Sequence, residues 1–206
     1  MTSMPSTGAT TMAIMMAGMM LPLVAPALWC YHRTLRSHGS WNASERTILM
    51  AAGYASVWAA VGLALGAIGG RLSPMDMGSA STIAIAPWAT GLVVVCAGVA
   101  QRSKWKAKYL AHCHPAFVAA GAKRGGLAAA WRDGCRLGVH CSLSCGPLMA
   151  AMFVGGLMDV RAMAVVMTVI AAERLSPSGG RVARMTGAVA LVAGVAMCMH
   201  AVVSLG

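Results

Sequence analysis

The chain has 206 residues, of which 58% are hydrophobic and only 10% charged, and its mean hydropathy is +0.70. Water-soluble domains carry about a quarter charged residues, so this composition points away from an ordinary soluble domain and toward helices in a bilayer. A net charge of +11 invites a nucleic-acid reading, but the basic residues are distributed in a way that excludes it.

Six apolar runs are long enough to cross a membrane as helices, whose backbone polar groups are satisfied within the segment. They lie near residues 11–30, 48–70, 82–100, 137–157, 160–175 and 183–205. The expected architecture is therefore all-α, a single polytopic bundle of about six transmembrane helices with no soluble domain. The opening "MTSMPSTGATT" has no basic residue, so Thr11–Cys30 is expected to stay as the first span rather than be cleaved as a signal peptide.

The first connecting loop carries Arg33, Arg36 and Arg46, and the fifth carries Arg174, Arg181 and Arg184. The third carries Arg102, Lys104, Lys106, Lys108, Lys123, Arg124, Arg132 and Arg136. The second and fourth loops hold only Arg71 and Arg161, and the tails hold none. This is the positive-inside asymmetry of a multi-pass protein of the inner (cytoplasmic) membrane. It puts loops one, three and five in the cytoplasm and both termini outside, in the periplasm. The charge reports topology and contact with membrane lipid, and no nucleic-acid partner is expected.

The third loop, Gln101–Arg136, is the longest polar region. Lys104, Lys106 and Lys108 alternate with Trp105 and Tyr109, a pattern suited to the headgroup layer. "HCHP" follows, placing His112, Cys113 and His114 together as a candidate metal-ligand group. Asp133, in "WRDG" among three arginines, is expected to serve as their counter-ion.

The fourth span holds "HCSLSCGPLM". Residues four apart share a helix face, so Cys141, Cys145 and Met149 form one sulfur stripe. Gly134, Gly138, Ser142 and Gly146 make a small-residue ridge beside it, and Gly62, Gly66 and Gly70 make another on the second span. Pro147 withdraws a backbone donor from the Leu143 carbonyl. His140 lies about 100° around the helix from Cys141 and is better placed to bond a neighbouring helix. A disulfide between Cys141 and Cys145 is disfavoured, since helix neighbours keep Cβ atoms about 5–6 Å apart and a disulfide wants about 3.5–4.5 Å.

Thiolate and thioether are soft donors, suited to Cu(I) more than to zinc. There are 18 methionines, including Met12, Met15, Met16, Met19 and Met20 in the first span, Met75 and Met77 in the second loop, and Met158 in the fourth. Methionine at helical spacing is commonly core filler, and cysteine is also a small buried hydrophobe, so a packing role stands beside the metal role. Glu173 closes the fifth span beside Arg174 and is expected to pair with it or reach the interface. No carboxylate pair, nucleophile elbow or glycine-rich phosphate loop is present, so a non-enzymatic role is expected.

The motif order adds a resemblance. "MMAGMMLPLVAP" in the first span and the block Cys113–Pro177 resemble the predicted metal-binding integral membrane proteins grouped as the domain of unknown function 2182. That family pairs an AMMLP-type first helix with Trp-Arg-x-Gly, a cysteine cluster, Leu-Met, Gly-x-Met-Asn and Glu-Lys. Here Met19–Pro22, Trp131–Gly134, Cys141/Cys145, Leu148-Met149, Gly156–Asp159 and Glu173-Arg174 hold those places. Ser144 and Gly146 stand where the family's cluster has a cysteine and a tryptophan. The resemblance implies a metal-binding membrane protein with Cys141, Cys145 and Met149 at its centre and His112, His114 or His140 in support. A protein partner in a metal-delivery pathway follows from that reading. The alternative is a non-catalytic structural or assembly subunit of a larger membrane complex.

Overall fold

A computed structural model describes residues 4–72, 87–122, 125–154, 160–176 and 178–203. Among them are eight helices and no strand: α1 (Met4–Ser37), α2 (Ala43–Leu72), α3 (Pro87–Arg102), α4 (Lys104–His112), α5 (Pro115–Gly121), α6 (Leu127–Val154), α7 (Val160–Leu175) and α8 (Gly179–Val203). Each of the six apolar runs falls on one helix, though the expected boundaries were too short for several. Residues 82–86, 155–157 and 204–205 of those runs lie outside the described residues, as do Met75–Met77 and Gly156–Asp159. The long polar loop has helical structure of its own. It contains two short helices, α4 and α5, and then the first turns of α6, which begins ten residues before the apolar run that predicted it.

Two helices, Ala43–Ala67 within α2 and α8, are long and apolar enough by length and composition to cross a membrane. α1 has 34 residues, about 50 Å at 1.5 Å per residue, and contains Pro22 and Pro26. It ends where Gly39 takes φ +71° and the Ser40 and Gly39 amides donate back to the Leu35 and Arg36 carbonyls. That is a glycine-terminated Schellman stop.

The helices group into two compact units, each built from two separate stretches of chain. In the first, residues 4–72 join residues 111–142, and α1 packs along α2 and against α5. Its core holds Met20, Tyr31, Leu35, Met50, Tyr54 and Trp58. The first half of α6 meets α2 through glycine. A Cβ on Gly53 would stand 2.5 Å from the Trp131 carbonyl oxygen, and one on Gly138 would stand 2.8 Å from Val57. Gly134 lies against the Met50 carbonyl with no room for a methyl group. The predicted ridge on α6 is thus real at Gly134 and Gly138. At Gly146 it is not, because an added Cβ there meets nothing within 4 Å.

In the second unit, residues 87–110 join residues 143–203, and α3 runs along α8. The contact is glycine against glycine. A Cβ on Gly98 would lie 2.9 Å from the Gly187 carbonyl oxygen, and a Cβ on Gly187 would lie 2.9 Å from that of Gly98. Gly91 and Gly194 repeat the arrangement at 3.0 and 2.9 Å. Without side chains the two backbones approach closely enough for dispersion and weak Cα–H···O contacts to hold them. Away from that contact α8 is bare: Met185, Val189, Val192, Val195 and Val202 are all more than half exposed.

Candidate metal centre

α6 carries Cys141, Cys145 and Met149 at successive four-residue steps, and their exposures are 0%, 2% and 5%. Each thiol faces a polar partner on another helix of its own unit. In the first unit the Tyr54 hydroxyl lies 3.0 Å from Cys141 Sγ. Tyr54 is fully buried on α2, held there by the Gly53, Gly134 and Gly138 contacts on either side of it. Either atom can donate in that pair.

In the second unit the direction is fixed. Arg174 Nη2 donates to Cys145 Sγ at 3.3 Å, and a guanidinium has no acceptor. A sulfur that accepts from a buried cation is a sulfur suited to carry negative charge. Ser144 Oγ adds a longer contact to the same sulfur at 3.8 Å.

Arg174 is followed inward by a second layer of charge. Glu173, 3% exposed, accepts from Gln101 Nε2 at 2.9 Å and pairs with Lys106 Nζ at 2.6 Å. Lys106 also donates to Gln101 Oε1, so the three side chains close a ring. Burial pushes the Lys106 ammonium below the usual lysine range, and the Glu173 carboxylate pulls it back up. Cys145 is the anion-capable side chain that accepts from Arg174 beside this buried charged group. This corrects two expectations: Glu173 neither pairs with its neighbour Arg174 nor reaches the interface. Its partner is a lysine 67 positions earlier. Asp133 makes no ion pair within 4 Å with the arginines around it among the described residues, though it borders one cavity with Arg136.

The "HCHP" group is divided. His112, at the end of α4, stacks near His140 with ring centroids 4.8 Å apart and near Phe117 at 4.6 Å. The two histidines border a cavity of about 330 Å³ in the first unit, together with Met50, Asp133 and Arg136. His114 is the N-cap of α5 and accepts from the Ala116 amide on Nδ1 at 3.4 Å. Cys113 is buried between them in sequence, 4% exposed. His140 therefore points to a neighbouring helix segment, as helical geometry required. Among the described residues no three of His, Cys, Asp and Glu converge as a metal cage.

Two buried thiols on one helix, each with a polar partner from another helix, are soft donors of the kind that suits Cu(I). The comparison with known families is specific: residues 10–197 match the family described as PpoB2, copper chaperone, and the chain belongs to it. No curated protein and no solved structure matches the chain.

Proposed function

We propose that this chain is an integral membrane copper chaperone that holds Cu(I) on Cys141 and Cys145, with Met149 as a third donor, and releases it to a protein acceptor. The observation that carries the reading is the pair of buried thiols one helical turn apart on α6, each with a hydrogen-bonding partner from another helix. Soft, polarizable donors in a dry setting suit Cu(I), and the copper chaperone family supports the choice of metal over zinc. His112 and His140, with Cys113 and His114 beside them, are the supporting donors through which the ion enters or leaves.

The bilayer supplies what α8 lacks. A helix whose valines and methionines are mostly exposed is unstable in water, and lipid covers that face at no hydrophobic cost. We take the six apolar helices as spans of the inner membrane, with both termini outside, from the asymmetry of Lys and Arg between alternate loops. Reporter fusions at the C-terminus and in the α4–α5 region test this: periplasmic activity at the first and cytoplasmic activity at the second are expected, and the reverse pattern excludes the topology.

For the metal, purified protein is loaded with Cu(I) without oxygen, desalted and analysed for copper. Wild type is expected to retain about one ion per chain and Cys141→Ser/Cys145→Ser essentially none. Equal retention in both removes these residues from the site.

A further inference from the structure

A second cavity, of about 520 Å³, lies in the second unit where α3 ends and α8 begins. Arg102, Lys104, Arg181 and Arg184 line it, with Ser103 and Ser178 between them and no carboxylate. Glu173 is the one acidic side chain among the described residues of this unit, and it is committed to Lys106 and Gln101. Four cations thus converge on an open space with no internal counter-charge. All four side chains are exposed, so water screens part of their mutual repulsion, and an anion among them would relieve the rest.

The cations are also positioned. The Arg102 stem crosses Gly187, where a Cβ would stand 2.8 Å from its Cγ, so the helix contact itself fixes where this guanidinium emerges. Arg184 Nε donates to the Gly180 carbonyl at 3.2 Å, which holds its fork at the first turn of α8. The positive end of that 25-residue helix adds to the field. Guanidinium forks and hydroxyls at a helix start match the geometry of phosphate oxygens.

The geometry points to a binding site for phosphate, filled by the headgroup of an anionic phospholipid of the cytoplasmic leaflet. This rests on the membrane reading above, which puts loops three and five on that side; the cavity is larger than one phosphate needs and has room for a glycerol-linked headgroup. Its cations are distinct from the buried Lys106 and Arg174 that surround Cys145.

The test uses full-length protein in detergent. Retention of phosphatidylglycerol and cardiolipin is compared with that of phosphatidylcholine by native mass spectrometry, with inorganic pyrophosphate as competitor. Wild type is expected to retain the anionic lipids preferentially. Arg102→Gln/Arg184→Gln is expected to weaken their retention about five-fold per cation removed, roughly thirty-fold together. Arg33→Gln/Arg36→Gln, which removes two exposed cations of α1, is expected to leave retention within about two-fold of wild type. Equal loss in the two variants, or no loss in the first, overturns the site. Pyrophosphate binding without any lipid preference keeps the phosphate chemistry but overturns the lipid source. Release of the protein from membranes by sodium carbonate overturns the membrane reading separately, and the pyrophosphate arm then decides the cavity alone.

Discussion

Glu173→Ala is expected to destabilise the protein by about 3–5 kcal/mol, and adding Lys106→Met to that variant is expected to restore most of the loss. Lys106 is 1% exposed, so without Glu173 its ammonium is left with the Gln101 carbonyl oxygen in a dry interior. The cost comes from the charge left behind rather than from the pair itself. A buried ion pair replaced whole by apolar side chains is often neutral or stabilising. Unfolding by titration with a denaturing detergent distinguishes the two, since a double variant as unstable as the single one would show that Glu173 acts in some other way.

The same variant carries a pH signature. Burial holds the Lys106 pKa below its unfolded value, and loss of Glu173 removes the group that opposed that shift. In the fold the lysine then sheds its proton earlier than in the unfolded chain. The unfolded state binds more protons, and stability rises with pH. Glu173→Ala is therefore expected to regain stability from neutral pH toward about pH 10, by at most about 1.4 kcal/mol per unit, with wild type flatter over that range.

The second large effect separates two glycines that look equivalent in sequence. Gly134→Ala puts a methyl group into the Met50 carbonyl, a backbone atom that cannot swing aside. Overpacking of that kind costs about 1–3 kcal/mol and more where backbone must shift, so a loss of at least about 3 kcal/mol is expected. The shift would also move α2 against α6 and draw Tyr54 from Cys141, so copper retention is expected to fall with stability. Gly146→Ala, three turns along the same helix, meets no other part of the chain within 4 Å; its helix-propensity gain is offset by the following Pro147, and stability is expected to change by less than about 1 kcal/mol. If the two variants behaved alike, the glycine contact between α2 and α6 would be wrong.

These two glycines also mark how far the sequence could be read. Apolar runs of about 20 residues located the six long helices, because the requirement is local and shows in composition. The sulfur stripe was legible for the same reason: a four-residue spacing on a helix is a statement about one face. What faces that stripe was not legible. Tyr54 comes from 87 positions away and Arg174 from 29, and no local pattern marks either as a thiol's partner. The pairing of α3 with α8 is not marked by a four-residue ridge: Gly91 and Gly98, like Gly187 and Gly194, are seven apart, two turns on one face. His112 and His140 each stand out in the sequence, but their approach across 28 positions is a long-range contact that periodicity does not encode.

The glycine contact between α3 and α8 has a consequence for how the protein is made. When α3 leaves the ribosome, its partner face lies about 90 residues ahead in the message, which at about 5–20 residues per second is roughly 5–20 s of synthesis. The chain of the first unit is complete at residue 142, while the rest is still being translated. Throughout that interval Gly91 and Gly98 present bare backbone to whatever is nearby. A nascent chain held at α7 is thus half assembled and half adhesive, and a chaperone or insertase acting on this protein would find its grip there.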